Sequence, residues 1–305
     1  MKWLALASIA AFIVFASGCT SLSFLLANTA TLTGHYDRTT SSSYGPEERQ
    51  KLDVYAPKDA QDRPVVVFFY GGSWTEGRRG LYRFVGAALA QRGIVTVLPD
   101  YRLYPQVKFP VFIDDGAMAI AWVQQHAQEF GGDPHRIVLM GHSAGGHEAA
   151  FLAYDRELLQ KVGAHPEWIV GLVGLSGPYA LEPNSKVLNT IFASPYTAAD
   201  WQPVSFVTPQ SPPTLLVHGT ADDVVSIKHA EKLRDVLQAN HVPVETQFYP
   251  DKGHADTVAG FSIPARDRTP VLDQSVSFIE SVTSVRTLRE PQPQPQPAPA
   301  VSTPR

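Results

Sequence analysis

Apolar residues along this chain come in short runs separated by stretches of helical spacing. Residues 51–55 alternate apolar and polar positions, as a half-exposed strand does. Residues 64–70 and 94–98 are β-branched and aromatic runs of the kind found in strands buried on both faces. Ile113, Ala117, Ile120, Ala121 and Val123 recur on one side of 112–130, which predicts a helix stopped by Gly131-Gly132-Asp133-Pro134. A strand over 136–140 and a helix over 143–154 follow, then buried strands over 168–175 and 214–217. An amphipathic helix over 227–240, a strand over 244–249 and a closing helix over 271–285 complete the series. Strands separated by helices build parallel βαβ units with helices on both faces. The pattern therefore predicts an α/β fold with a doubly wound, mostly parallel sheet, in which ligands bind beyond the carboxyl ends of the strands.

The two ends depart from this pattern. Met1-Lys2 precedes a charge-free apolar run to Ala16, then Ser17-Gly18-Cys19. A basic start, a short apolar core and small residues before a cut site describe a secretory signal. Cys19 is the sole cysteine, so no intrachain disulfide forms, and it falls where bacterial lipoproteins carry the lipidated residue. An ordinary cleaved signal and an uncleaved anchor helix are the alternatives, although Ser17 to Ser21 interrupts the roughly 20 apolar residues a span needs. The expected organisation is a lipoprotein signal over 1–18, a Ser/Thr/Gly-rich tether over 19–45, and a folded α/β domain over 46–286. A solvated Pro/Gln-rich tail over 287–305 follows. Acyl chains on Cys19 would hold the protein on a membrane surface outside the cytoplasm.

Composition narrows the partners. The chain has 305 residues, 44% hydrophobic and 18% charged, with a net charge of −4 and a pI near 6.2. This is a globular composition without the basic footprint of a nucleic-acid binder. With no run of like charge to suggest a polyionic partner, the expected macromolecular contact is a membrane surface through Cys19.

Candidate chemistry begins at Gly141-His142-Ser143-Ala144-Gly145. Five residues of this kind carry little weight alone. Between a buried strand and a helix they describe the tight turn that holds a serine hydroxyl out of the sheet beside a base. A plain helix N-cap is the competing role for Ser143. The partners come in the order serine, acid, histidine. Asp222, five residues past the strand over 214–217, is the expected orienting acid, with Asp223 as runner-up. His254, on a glycine-bearing loop past the last strand, is the expected general base. Of the other nine histidines, His142, His147 and His218 lie nearest these motifs and are assigned to packing or hydrogen bonding.

A tetrahedral oxyanion needs backbone N–H donors. The segment Tyr70-Gly71-Gly72-Ser73-Trp74 leaves the sheet beside the nucleophile turn, and with the Ala144 N–H it would form the hole. This mechanism uses no metal and no cofactor.

Tyr70-Gly71-Gly72-Ser73-Trp74, Asp100-Tyr101-Arg102-Leu103-Tyr104 with Phe109-Pro110, the Ser143 pentapeptide, His218-Gly219-Thr220-Ala221-Asp222 and Gly253-His254 together resemble carboxylesterases related to hormone-sensitive lipase and arylformamidase. The resemblance spans about 50–285. It implies an eight-stranded α/β-hydrolase fold and hydrolysis of carboxylic esters through an acyl-enzyme. Two positions depart from the family pattern: Tyr70 replaces a histidine and Ser73 the third glycine. Because the donors are backbone groups the hole can survive, with Gly72 and Ser73 favoured over Gly71. An arylformamidase, lactonase or small-peptide hydrolase would use the same triad, and a non-catalytic surface-binding lipoprotein stands as the remote alternative. Residues 179–211, holding Phe192, Tyr196, Trp201 and Phe206, are the expected lid or pocket wall.

Overall fold

Eight strands form one sheet: β1 Tyr36–Ser43, β2 Lys51–Pro57, β3 Arg63–Phe69, β4 Val95–Pro99, β5 Gly132–His142, β6 Ile169–Leu175, β7 Thr214–Gly219 and β8 Val244–Tyr249. Their spatial order is β1-β2-β4-β3-β5-β6-β7-β8. β2 is antiparallel to both β1 and β4, and every pairing from β4 to β8 is parallel. This computed structural model describes residues 23–29 and 34–287.

The helices are α1 over 23–29, α2 Arg83–Ala90, α3 Val111–His126, α4 Ala144–Tyr154, α5 Arg156–Lys161, α6 Lys186–Ile191, α7 Ala198–Trp201, α8 Lys228–Ala239, α9 Asp256–Ala259 and α10 Val271–Thr287. α2 and α10 pack together on one face of the sheet, and α3 and α4 on the other. The central strands β3, β4, β5 and β6 are sealed by both layers; Val65 to Phe69 and Ile137 to Met140 are fully buried. That explains their unbroken apolar runs.

Strand order places the site. The chain passes from β3 to β4 on one side, then returns to set β5 on the other side of β3. The carboxyl ends of β3 and β5 therefore flank a topological switch point, where open α/β sheets bind ligands. The segment Tyr70–Trp74 leaves β3 there, and Ser143 leaves β5.

Three sequence expectations change. Residues 36–43, assigned to a tether, form the edge strand β1, so the sheet begins ten residues before the expected domain start at 46. The residues Tyr36 to Ser43 are mostly exposed, which removes the alternation that marks a half-buried strand. β1 is held by its ladder to β2, by Arg38 to Asp53 at 2.8 Å and by the Ser41 N–H to Asp53 at 3.0 Å. Within the same expected tether, α1 is docked: Phe24 lies 5.0 Å from the Tyr82 ring, and Asn28 donates to Leu81 O at 2.9 Å. Third, α10 runs to Thr287, one residue into the expected tail. The sequence gives no sign of α2, because seven of its eight residues are buried and Arg83 is its one polar residue. Residues 1–18, Cys19 and positions 288–305 of the expected 287–305 tail lie outside the described residues. Among the described residues no helix is long and apolar enough to cross a membrane.

Candidate active site

Ser143 sits between β5 and α4 with φ 57° and ψ −124°, in the positive-φ region that costs a non-glycine residue about 1–3 kcal/mol. Its backbone is fixed on both sides. The Ser143 N–H donates to Leu175 O at 2.9 Å, and its carbonyl accepts from Gly146 and His147 at 2.9 and 3.1 Å. The two flanking glycines are required by contact. A Cβ on Gly141 would lie 2.0 Å from Gly145 O, and one on Gly145 would lie 2.1 Å from Phe69 O. Ser143 shows no side-chain capping bond to α4. Its hydroxyl is not spent as an N-cap.

His254 and Asp222 meet across the ends of β8 and β7. His254 Nδ1 is 2.9 Å from Asp222 Oδ2, and the carboxylate is withdrawn from solvent. Burial alone would raise the Asp222 pKa. The Val225 N–H, His254 and the Val224 N–H outweigh it and hold the carboxyl below its usual range. Asp222 is therefore charged and fixed. Asp223 is exposed beside it.

The His142 ring lies 4.8 Å from the His254 ring, which brings the His254 loop against the residue preceding Ser143. Among the described residues no hydrogen bond joins the Ser143 hydroxyl to His254. Such bonds often tighten only when substrate is bound.

The oxyanion segment lies against this turn. A Cβ on Gly71 would sit 2.9 Å from Ser143 Cβ. Gly71 N–H faces the Tyr82 hydroxyl. The next two peptides turn sharply: Gly72 has φ 141° and Ser73 φ 51°, and Gly72 O accepts from Thr75 and Glu76. Ala144 is the first residue of α4, where a helix leaves its N–H groups without intrahelical partners. The segment from Gly71 to Ser73 thus approaches the turn most closely at Gly71, and Ala144 opens α4 with its N–H outside the helical ladder. Tyr70 is buried; its hydroxyl accepts from Arg49 at 2.7 Å, and its carbonyl accepts from Tyr101 at 2.7 Å.

Residues 179–211 cover one side. Phe192 packs edge-on against Trp74 at 4.8 Å, Trp201 accepts His147 Nε2 on its carbonyl at 2.7 Å, and Tyr196 stands over Phe109 at 5.1 Å. Phe206 packs on Phe151 at 4.6 Å. These rings form an aromatic wall that continues from the oxyanion segment through Trp74.

The sequence assigned His142 and His218 to packing or hydrogen bonding, and both make hydrogen bonds; it passed over Thr257 and Ser176. His218 Nε2 reaches Asp222 Oδ2 at 3.2 Å and Val225 O at 2.8 Å. Thr257 Oγ1 lies 3.2 Å from His254 O and 3.1 Å from Ser176 Oγ. Nothing in a lone threonine three residues past a histidine would have flagged it; the positive φ of Ser176, 49°, becomes visible only in the fold.

The profile of the BD-FAE family matches residues 52–237. The chain belongs to the BD-FAE family. It is 32% identical over 236 residues to isoprenylcysteine alpha-carbonyl methylesterase ICME of Arabidopsis thaliana, covering 70% of this chain and 55% of that protein. It is 33% identical over 217 residues to esterase LipC of Mycobacterium tuberculosis, covering 64% and 54%. The chain thus spans little more than half the length of these relatives. Esterase B from Lactobacillus rhamnosis aligns with a TM-score of 0.77 at 19% identity, covering 93% of this chain and 98% of that one. A carbohydrate esterase from gut microbiota aligns at 0.73 and 21% identity, covering 83% and 98%. These two show the shared α/β-hydrolase fold.

Proposed function

We propose that this BD-FAE member hydrolyses carboxylic esters through a Ser143–His254–Asp222 triad and an acyl-enzyme. The observation that carries the reading is the Asp222–His254 pair, whose His254 packs on His142, the residue that precedes a serine held at φ 57° on a strand-to-helix turn. Ser143 Oγ attacks the ester carbonyl carbon while its proton passes to His254 Nε2. The oxyanion is received by the N–H groups of Gly72, Ser73 and Ala144, and Asp222 stabilises the imidazolium. His254 then protonates the leaving alkoxide. Water, deprotonated by His254, releases the acid from Ser143.

The proposed substrates carry small or medium acyl or aryl groups, held against Trp74, Phe192 and Tyr196. The names of the relatives, a methylesterase and an esterase, support ester over amide cleavage. The motifs at Tyr70–Trp74 and Gly141–Gly145 support placement near the hormone-sensitive-lipase-like esterases. The residue pattern of 1–19 supports export and lipid anchoring at Cys19.

A fluorophosphonate probe tests the chemistry. It should label the wild-type chain and fail to label Ser143→Ala; a folded wild-type protein that resists labelling would exclude the mechanism. Turnover of p-nitrophenyl esters of increasing chain length alongside N-formylkynurenine separates ester from formamide hydrolysis. Cell fractionation of Cys19→Ser tests the anchor, which fails as a proposal if the variant stays on the membrane.

A further inference from the structure

His142 takes no part in the proton transfers described above, yet it is buried at 5% exposure between the nucleophile turn and the base loop. Its Nε2 lies 3.1 Å from the backbone carbonyl of His254. A carbonyl only accepts, so Nε2 carries the proton and the neutral ring leaves a bare lone pair on Nδ1. Nδ1 has no hydrogen-bond partner among the described residues and faces Gly71, whose added Cβ would lie 3.2 Å away. Burial first, then the nearby His254, lowers the His142 pKa to about 3. The ring therefore stays a neutral donor across the working range of an esterase.

The same carbonyl has a second donor. Thr257 Oγ1 sits 3.2 Å from His254 O and 3.1 Å from Ser176 Oγ. A hydroxyl has one proton, so the arrangement is satisfied when Ser176 donates to Thr257 and Thr257 donates to His254 O. Ser176 is itself fixed at the end of β6 by its N–H to Val217 O at 2.9 Å. The base loop is thereby tied to β5 through His142 and to β6 through Thr257. Its imidazole is tied to β7 through Asp222.

We infer that His142 is a positioning residue: its Nε2–H, together with the Thr257 hydroxyl, clamps the His254 carbonyl and holds the imidazole between Asp222 and Ser143. The nucleophile turn thus carries the residue that sets its own base. A shift of the turn moves nucleophile and base together, and their separation is preserved. Small misplacements of a reacting group cost rate steeply, so a clamp on the main chain supplies precision that the single Asp222 contact does not.

The inference rests on Ser143 as nucleophile and His254 as base, and the experiment keeps the two apart. Full-length wild type, His142→Leu, His142→Gln and Thr257→Val are compared for fluorophosphonate labelling rate and for kcat and KM on p-nitrophenyl acetate. His142→Leu should lose about 10- to 100-fold in kcat with KM within about twofold, because the acyl pocket is untouched. Glutamine places an N–H donor at similar reach, and His142→Gln should retain kcat within about threefold of wild type. Thr257→Val removes only the second donor at nearly unchanged volume and should lower kcat at constant KM. Wild-type kcat in His142→Leu, or equal losses in the leucine and glutamine variants, would overturn the clamp. If near-UV circular dichroism shows that His142→Leu does not fold, Thr257→Val decides alone: lowered kcat supports the clamp and wild-type kcat overturns it. An unlabelled wild type would instead remove the triad.

Discussion

His218 and His254 converge on one oxygen: Asp222 Oδ2 lies 2.9 Å from His254 Nδ1 and 3.2 Å from His218 Nε2. His218 is fully buried, and burial first of all lowers its pKa, so it meets Asp222 as a neutral donor. Its proton is shared with Val225 O at 2.8 Å. The other Asp222 oxygen accepts the N–H groups of Val224 and Val225. The carboxylate is thus oriented by the loop that follows it before His254 makes any demand on it. The chain assigns one carboxylate two imidazoles, one to orient and one to help hold it.

Unequal losses should follow on removing these groups. Asp222→Asn keeps the shape but offers His254 an amide that no longer fixes its tautomer, and kcat should fall by about 10⁴-fold. His218→Phe keeps the packing volume and removes one of several donors, so kcat should fall by about tenfold at constant KM, on the scale of one hydrogen bond. Steady-state kinetics on p-nitrophenyl acetate checks the ranking. An equal effect of the two substitutions would mean that His218 acts through the fold.

Acid should weaken the fold before it reaches the carboxylates. His142 and His147 are held neutral, chiefly by burial, with pKa values lowered to about 3 and about 4. In the unfolded chain they titrate near 6.5. The unfolded state therefore binds protons first as pH falls, and stability declines from about pH 6.5 until the folded-state values are passed. The depressed Asp222 adds a further loss below the ordinary aspartate value of about 3.9. His147→Gln keeps a donor for Trp201 O and abolishes the titration. Its Tm should fall less than that of wild type between pH 7 and pH 4, as differential scanning calorimetry would show.

How far the sequence reaches is clear at β5 and β1. β5 is covered on both faces, so its apolar run, the turn glycines and Ser143 are all legible in order. β1 is an edge strand exposed on both faces, and nothing in its polar residues separates it from a tether; only its ladder to β2 and the Asp53 contacts define it. The proposed triad follows the same division. Ser143, Asp222 and His254 each sit just past a strand end, where chain order points to them. The residues that support them act through backbone carbonyls, as His142 and Thr257 do on His254 O. A contact between a side chain and a distant carbonyl leaves no residue type at the partner position for a sequence to display.

Glu148, one turn into α4, should oppose folding at neutral pH. It is fully buried, and both of its carboxyl oxygens have no hydrogen-bond partner among the described residues. Burial, reinforced by the charge of Asp115, raises its pKa well above the glutamate range. A raised folded-state pKa contributes stability below the unfolded value of about 4.3 that is lost as pH rises above it. Glu148→Met fills similar volume without a polar head and should stabilise the protein by about 1–3 kcal/mol at pH 8. The gain should shrink toward pH 4, where the unfolded carboxyl is protonated as well. Thermal unfolding at both pH values tests this; a gain independent of pH would mean that packing alone is responsible.

Gly145 is the point where fold and chemistry fail together. An added Cβ would meet Phe69 O at 2.1 Å, Phe69 C at 2.4 Å and Tyr70 O at 2.5 Å, all backbone atoms of β3 and of the segment leading to the proposed oxyanion donors. Backbone in a central strand cannot yield as a flexible side chain can, so α4 must move away from β3. That motion draws Ser143, which precedes α4, away from Gly71 and the proposed oxyanion donors after it. Gly145→Ala should destabilise the protein by about 3 kcal/mol or more and slow fluorophosphonate labelling by at least about 100-fold in the fraction that remains folded. Gly80→Ala is the control, since its Cβ would approach only the Arg83 side chain, at 3.7 Å. It should change stability by less than about 0.5 kcal/mol and leave the labelling rate as it is. If Gly145→Ala labels at the wild-type rate, the close contact of α4 with β3 is not what holds Ser143 against the oxyanion segment.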